Sequence, residues 1–506
     1  MSDTPTSRAA TGAGIRPGAV AVLTLPRGGY GAVQVVSVGE ETLLAYALDW
    51  YSAQRPTLAQ LAGAGPLRLR HHSHDGGVAA INVRRDGPVP LDFDWLGDLP
   101  LRPGAPETSA SYAGWSYLPD QVYRQREWDL RLPERVKTEY RAARTRGQVE
   151  VDLGGEPATL GAATWRLDLA GSALLPATGD VRWAGLDALP RCTTLTWRGP
   201  ARGLPEALAA RPIVSSLTWH DPPAEVDLAA SSLTDLTLHG SGVRTLRLPP
   251  TLLRCRLAGS VPATVDAAEW GRWISLSVEV TDTPVPLPAG LHGVRRLGLR
   301  GDGVISAASL GELAELETLL LSWQKAPGLL VDADPLATLP RLYAVELLDG
   351  YGCAADTLPE LPALRHLEVD GLRRSVVAPL RSRYRGSRVE LLLRGAKSDA
   401  WLEANFGNPF RDWVDDDPRG GTAACRAYAT ALRAVDRLPA DGAGRVEAAE
   451  PILRALVDAL NRIEQRYEII DTVNREQAGD VFLALADRAG VPADLADTWF
   501  DDWRDF

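Results

Sequence analysis

Lysine is nearly missing from this chain. Three residues (Lys137, Lys325 and Lys397) stand against 51 arginines, and Met1 is the only methionine. Both residue types are scarce where codons are GC-rich, so the arginine excess reflects bacterial coding bias and says little about nucleic acid. Cysteine is sparse too. Cys192, Cys255, Cys353 and Cys425 lie far apart with no C-x-x-C pair. That excludes a disulfide framework and the close pairs of structural zinc sites, and points to buried free thiols in a reducing cytoplasm. No run of about 18 apolar residues occurs, so no transmembrane helix is expected. The polar start Met1-Ser-Asp-Thr-Pro lacks the apolar stretch of a secretory signal, and residues 1–13 read as a disordered tail. G-x-S-x-G, H-E-x-x-H and G-x-x-x-x-G-K-[ST] are absent. Gly28-Gly-Tyr-Gly31 lacks both the spacing and the following helix of a phosphate loop.

What the chain does have is a repeat. An apolar-x-apolar motif recurs from about 149 to 394. It runs from Leu167-Asp-Leu169 and Val181-Arg-Trp183 through Leu195-Thr-Trp197, Leu217-Thr-Trp219, Leu236-Thr-Leu238 and Cys255-Arg-Leu257. It continues with Leu276-Ser-Val278, Leu297-Gly-Leu299, Leu319-Leu-Leu321, Val345-Glu-Leu347, Leu367-Glu-Val369 and Leu391-Leu-Leu393. From Leu195 onward the steps are 22, 19, 19, 21, 21, 22, 26, 22 and 24 residues. In a strand, residues two apart share a face, so both apolar residues enter a core and the residue between them faces out. One such unit cannot bury its stripe; stacked units can. Leu310-x-x-Leu313-x-x-Leu316, Leu336-x-x-Leu339-Pro-x-Leu342 and Leu358-x-x-Leu361-Pro-x-Leu364 add leucines for the return segments. This pattern resembles the leucine-rich-repeat family, which implies a solenoid over 149–397. Where that family places Asn or Cys after each strand, this chain has mostly Gly, Asp, Ser or His. The first units step by only about 14 residues, so an irregular solenoid with a divergent N-terminal end is expected.

The N-terminal stretch has another character. Ile15 to Leu25 is strand-like, Pro26-Arg-Gly-Gly-Tyr-Gly31 is a turn, and Ala32 to Val38 returns. Glu41 to Leu48 and Val78 to Val83 read as further strands, and short strands with Gly/Pro turns suggest a small barrel-like domain over 14–102. From Arg16-Pro-Gly18 through Gly29-Tyr-Gly31 to Trp95-Leu-Gly97, this stretch resembles immunity protein family twenty-six of bacterial polymorphic-toxin systems. That resemblance implies binding of a cognate toxin. Residues 103–148 open as a Pro/Gly linker and turn aromatic and basic, which suggests a helical cap on the solenoid's end. Residues 398–506 hold 22 Asp/Glu against 12 Arg, a net of −10 of the chain's −11. Helix-period stripes there, with caps expected at Thr422, Asp471 and Gly490, predict an acidic helical bundle closed by Trp499, Phe500, Trp503 and Phe506. The fold class is therefore α/β multidomain: barrel-like domain, solenoid, helical bundle.

Candidate sites are few. His71-His-Ser-His74-Asp75 is the one histidine cluster; His72, His74 and Asp75 are its metal candidates. Strand alternation would set His72 and His74 on one face and His71 on the other, too local a spacing to wrap one tetrahedral ion, and a surface loop is the favoured reading of the same residues. Asp415-Asp-Asp417 and Asp501-Asp502 lack the spacing of a calcium loop and read as solvated loops or helix ends. The exposed strand positions carry more. Arg198, His220 and His239 follow the motif at one place in successive repeats, flanked by Thr196, Thr218 and Thr237, with Arg256 and Arg300 further along. On a solenoid these would line the concave face, where partners commonly bind.

The reading is a non-enzymatic, cytoplasmic protein-binding chain, in toxin immunity or regulation, with no cofactor and a protein or peptide on the concave face. Its rival is an enzyme, or an accessory that holds a peptide for modification, in a metal-dependent version. Nucleic acid is disfavoured by the net negative charge, and nothing suggests a membrane.

Overall fold

The structure is a computed structural model that describes residues 14–72, 74–281, 284–439 and 444–506; the tail expected at 1–13 lies outside them. The chain opens with β1 (Ala19–Thr24), β2 (Tyr30–Val38) and β3 (Thr42–Ala47), then a single turn α1 (Leu58–Leu61), β4 (Ala80–Arg84) and β5 (Asp94–Asp98). These strands pair antiparallel in the order β4-β3-β2-β1-β5. At the turn between β1 and β2, Arg27, Gly28 and Gly29 all have positive φ. A side chain at Gly29 would also run into the Tyr51 ring, so only glycine fits there.

The barrel-like closure expected from the sequence is not what forms. Among the described residues β4 and β5 are the two edges of an open sheet. The reason lies in the strands' near-continuous apolar character, since both faces are covered. One face packs Ala21, Leu23, Val33, Val35, Ala45 and Ile81 with Trp115, Leu118 and Val122. The other packs Val20, Ala32, Leu44 and Tyr46 with Leu61. A sheet buried on both sides needs apolar residues at successive positions, not alternate ones.

The residues covering the first face lie in and beside α2 (Tyr117–Leu130). The helix α3 (Glu134–Ala142) follows, its Tyr140 edge-on to Trp128 at 5.3 Å, with the Arg191 guanidinium 4.3 Å over the Tyr140 ring. A hairpin, β6 (Gln148–Val151) with β7 (Ala158–Gly161), leads into the repeats.

The repeats advance through β8 (Arg166–Asp168), β9 (Thr194–Arg198), the helix α4 (Leu204–Ala210), β10 (Ser216–His220), β11 (Glu225–Asp227) and β12 (Asp235–Gly240). Next come β13 (Thr245–Arg247), β14 (Arg254–Gly259), β15 (Thr264–Asp266), β16 (Ser275–Val280), β17 (Arg296–Ser306) and β18 (Thr318–Val331). They end with β19 (Ala344–Leu348), β20 (His366–Asp370), the helix α5 (Arg374–Arg383) and β21 (Glu390–Arg394). Eleven of these strands, β8 to β21 without β11, β13 and β15, form one sheet whose neighbours follow chain order. Their recorded pairings are parallel. The other three form a small second parallel sheet. Parallel strands in chain order, each followed by a return segment, make a leucine-rich-repeat-like coil.

The motif leucines sit in the coil's core: Leu195, Leu217, Leu236, Leu276, Leu297 and Leu319 are each at most 2% exposed. One predicted strand is absent. Val181-Arg-Trp183 enters a 3-10 turn, Trp183–Ala188. Leu167 and Leu195 thus belong to neighbouring strands 28 residues apart, and the apparent 14-residue steps are one repeat whose return segment happens to match the motif.

By contact density the residues up to 324, with 328–371 and 376–394, form one unit; 395–506, with 325–327 and 372–375, form a second. The second unit holds α6 (Asp399–Asn405), α7 (Trp413–Asp416), α8 (Pro418–Val435), α9 (Arg445–Tyr467), α10 (Thr472–Ala489) and α11 (Ala493–Trp503). Its core gathers Leu453, Leu456, Val457, Leu460 and Phe482. The α8 cap is Asp417 rather than Thr422, because Pro418 already fits the first helical position and the Asp417 carboxylate accepts from the Arg419 and Gly420 amides. Asp471 and Gly490 bound α10 as expected. Trp503 stacks on Trp499 at 5.1 Å and Phe500 meets Phe482 at 5.2 Å, which ties α11 to the bundle.

Candidate functional site

Strand pairing fixes which side chains become neighbours on the coil. In β9, β10 and β12 the pairing sets Thr196, Thr218 and Thr237 in one row and Arg198, His220 and His239 in the next. Both rows face away from the leucine core, since their residues alternate with the buried ones. The His220 and His239 rings are stacked, 4.5 Å apart and 9° from parallel. Burial and the neighbouring His220 hold His239 below the usual histidine range. Arg198 is exposed and bonds Asp221 at 2.7 Å. Thr196 is buried, at 7% exposure, while Thr218 and Thr237 are half-buried. Arg256 extends the threonine row and donates to Glu279 at 2.5 Å; Arg300, exposed, lies opposite Glu279 on the next strand.

From the start of β12 onward the same face is contacted by the chain's own α2 and N-terminal sheet. Ion pairs join them across the coil. Arg124 meets Asp235 at 2.7 Å, Asp120 meets Arg254 at 2.7 Å, and Asp92 meets Arg295 at 3.0 Å. Arg84 meets Glu368 at 3.0 Å, and Asp86 meets Arg394 at 3.0 Å. Between these contacts lies a cavity of about 710 Å³. Its floor is the outward side of β16 to β20, including Ser277, Gly298, Leu320 and Glu346, and its roof includes Trp115 and Phe93. Sequence reasoning missed this arrangement. Its signals are single charges in the N-terminal stretch and in the repeats, and no local pattern pairs Asp92 with Arg295.

The His71–Asp75 cluster folds into a turn, with His72 at positive φ, so strand alternation does not apply. His71 is 2% exposed; its Nδ1 lies 3.0 Å from His72 Nδ1 and its Nε2 2.9 Å from Gln121 Oε1. Its ring also meets His74 edge-on at 4.7 Å. Burial first, then the neighbouring imidazoles and Arg124, push His71 down to about 2, and burial with Arg124 pushes His72 down to about 3. Asp75 points elsewhere and pairs with Arg144 at 2.7 Å. Among the described residues no group of three His, Cys, Asp or Glu side chains is arranged to hold a metal ion. The four cysteines are free and buried, and burial raises the Cys192 and Cys255 thiols to about 12. No described helix is long and apolar enough to cross a membrane.

The class that the fold defines is thus a leucine-rich-repeat-like coil with an antiparallel sheet folded onto its strand face. No family model matches the chain, and no curated protein matches it. Among solved structures, an internalin C2 from Listeria monocytogenes is similar at 19% identity, covering 44% of this chain and 87% of that chain, with a TM-score of 0.19.

Proposed function

We propose that this chain is a non-enzymatic binding protein that holds a protein partner on the early strands of its coil. The observation that carries this reading is the in-register column Arg198–His220–His239 beside the threonine row. Among the described residues, none of the three bonds or pairs with the N-terminal sheet or α2, although Arg124 of α2 pairs with Asp235 at the start of β12. A flat row of stacked imidazoles beside a guanidinium offers aromatic and charged contacts of the kind that dominate interface energies. In its most specific form the reading is toxin immunity, which rests on the resemblance of residues 14–100 and would make the partner a toxin. Four free thiols support a cytoplasmic setting.

The test is affinity against stability. Arg198→Ala, His220→Ala and His239→Ala together should weaken the co-purifying partner at least about tenfold, the equivalent of 1.4 kcal/mol. Each should change stability by no more than about 0.5 kcal/mol, because the side chains lie outside the core. A folded triple variant that binds its partner normally would remove the column from the interface.

A further inference from the structure

The cavity between the N-terminal sheet and the later strands is a chemically polarised chamber. At one end stand two cations, Arg296 at the start of β17 and Arg272, with the buried Asp120 carboxylate, itself bonded to Arg254, near Arg296. Among the described residues Arg296 makes no ion pair, although Arg295 beside it is paired twice. At the other end stands Glu346 on β19, likewise without a hydrogen-bond partner among the described residues. Its strand neighbour Glu368 is satisfied by Arg84 at 3.0 Å. Between the two ends the walls are apolar: Leu320 below, Trp115 and Phe93 above. Gly298 leaves the floor open midway, where an added Cβ would come no nearer than 3.9 Å to any side chain.

We propose that this cavity binds a short apolar peptide with free ends, about three residues long. Its carboxylate would lie at Arg296 and Arg272, and its ammonium group at Glu346. The dimensions agree. Two strand spacings and two residues along the strand set the Arg296 and Glu346 backbones roughly 11 Å apart. Three extended residues span about 10 Å. A volume of 710 Å³ lies in the range of sites that enclose a ligand of that size. Electrostatics favour the same orientation. Burial and the adjacent Glu368 lift Glu346 above the usual carboxylate range, and an ammonium group beside it would relieve that cost.

Calorimetric titration of the full chain with the free tripeptide Leu-Ala-Phe, its C-terminal amide and its N-acetyl form tests this. The free tripeptide should bind saturably, and each blocked form at least about tenfold more weakly. Arg296→Gln should erase the penalty for amidation, and Glu346→Gln the penalty for acetylation. Gly298→Leu should abolish binding by filling the floor. Gly298→Ala, a smaller change, should only weaken it and guards against misfolding of the first variant. The proposal is overturned if the folded chain binds none of the three peptides, if blocking either end changes nothing, or if a folded Gly298→Leu protein binds normally. The Arg198, His220 and His239 triple variant should bind the tripeptide unchanged, so failure here and failure of the early-strand interface are separate results.

Discussion

At the scale of single residues, burial rather than catalysis accounts for the perturbed histidines. Burial pushes His71 down to about 2 and His72 down to about 3 in the folded protein, against 6.5 for an unperturbed histidine. The unfolded chain therefore binds protons that the folded chain refuses, and stability falls as the pH drops below about 6.5. Between pH 7 and pH 5 each such histidine should cost about 2 kcal/mol. Urea unfolding at the two pH values should show this loss, and His71→Asn should reduce it while keeping a polar group facing Gln121. An equal loss in the variant would show that His71 titrates normally in the fold. The ring nitrogens of His71 face Gln121 and His72, and Asp75 pairs with Arg144, so these groups are engaged within the fold.

At the scale of the element, each coil strand has two jobs on opposite faces. Leu217 and Leu236, at 1% and 2% exposure, anchor β10 and β12 in the core, whereas His220 and His239 face away from it. Leu236→Ala should remove roughly 2–5 kcal/mol of stability through a core cavity, measured by thermal or urea unfolding. A near-zero loss would mean that the strand register is wrong. The sequence period announced most of these strands because the two-residue alternation repeats at nearly every turn. It misled at Val181-Arg-Trp183, where two apolar residues fall at strand spacing within a return segment. It passed over β11, β13 and β15, although Val226-Asp-Leu228 and Leu246-Arg-Leu248 carry the same buried apolar-x-apolar spacing, because they fall between strands of the main repeat.

At the scale of the whole first unit, the N-terminal sheet is held on the coil by ion pairs, several of them sheltered from water. Arg295 is the most enclosed of the arginines in them, with its side chain 8% exposed and bonded to Asp92 on one side and Glu317 on the other. Arg295→Met keeps the volume but leaves buried Glu317 with Arg341 alone and Asp92 with no counterpart. It should cost roughly 3 kcal/mol, since a broken buried pair leaves an uncompensated charge. Hydrogen exchange should also quicken across β1 to β5 before the coil strands are affected. Uniform loss of protection would show that sheet and coil open as a single body.

The sequence by itself determined the repeats, their inward leucines, the rows of outward residues and the helical character of the acidic C-terminal stretch. Each of these depends on spacing within about 30 residues, which the chain's own periodicity records. Tertiary structure alone decided that the N-terminal strands form an open sheet, since covering the second face required α1 and the loops around it. It also decided that this sheet lies over the later coil strands and encloses a cavity there. The contacts responsible, such as Arg84 with Glu368 and Asp92 with Arg295, join residues more than 200 positions apart. A lone charge carries no periodic signature, so its partner becomes known only when the chain has folded and brought the two within reach.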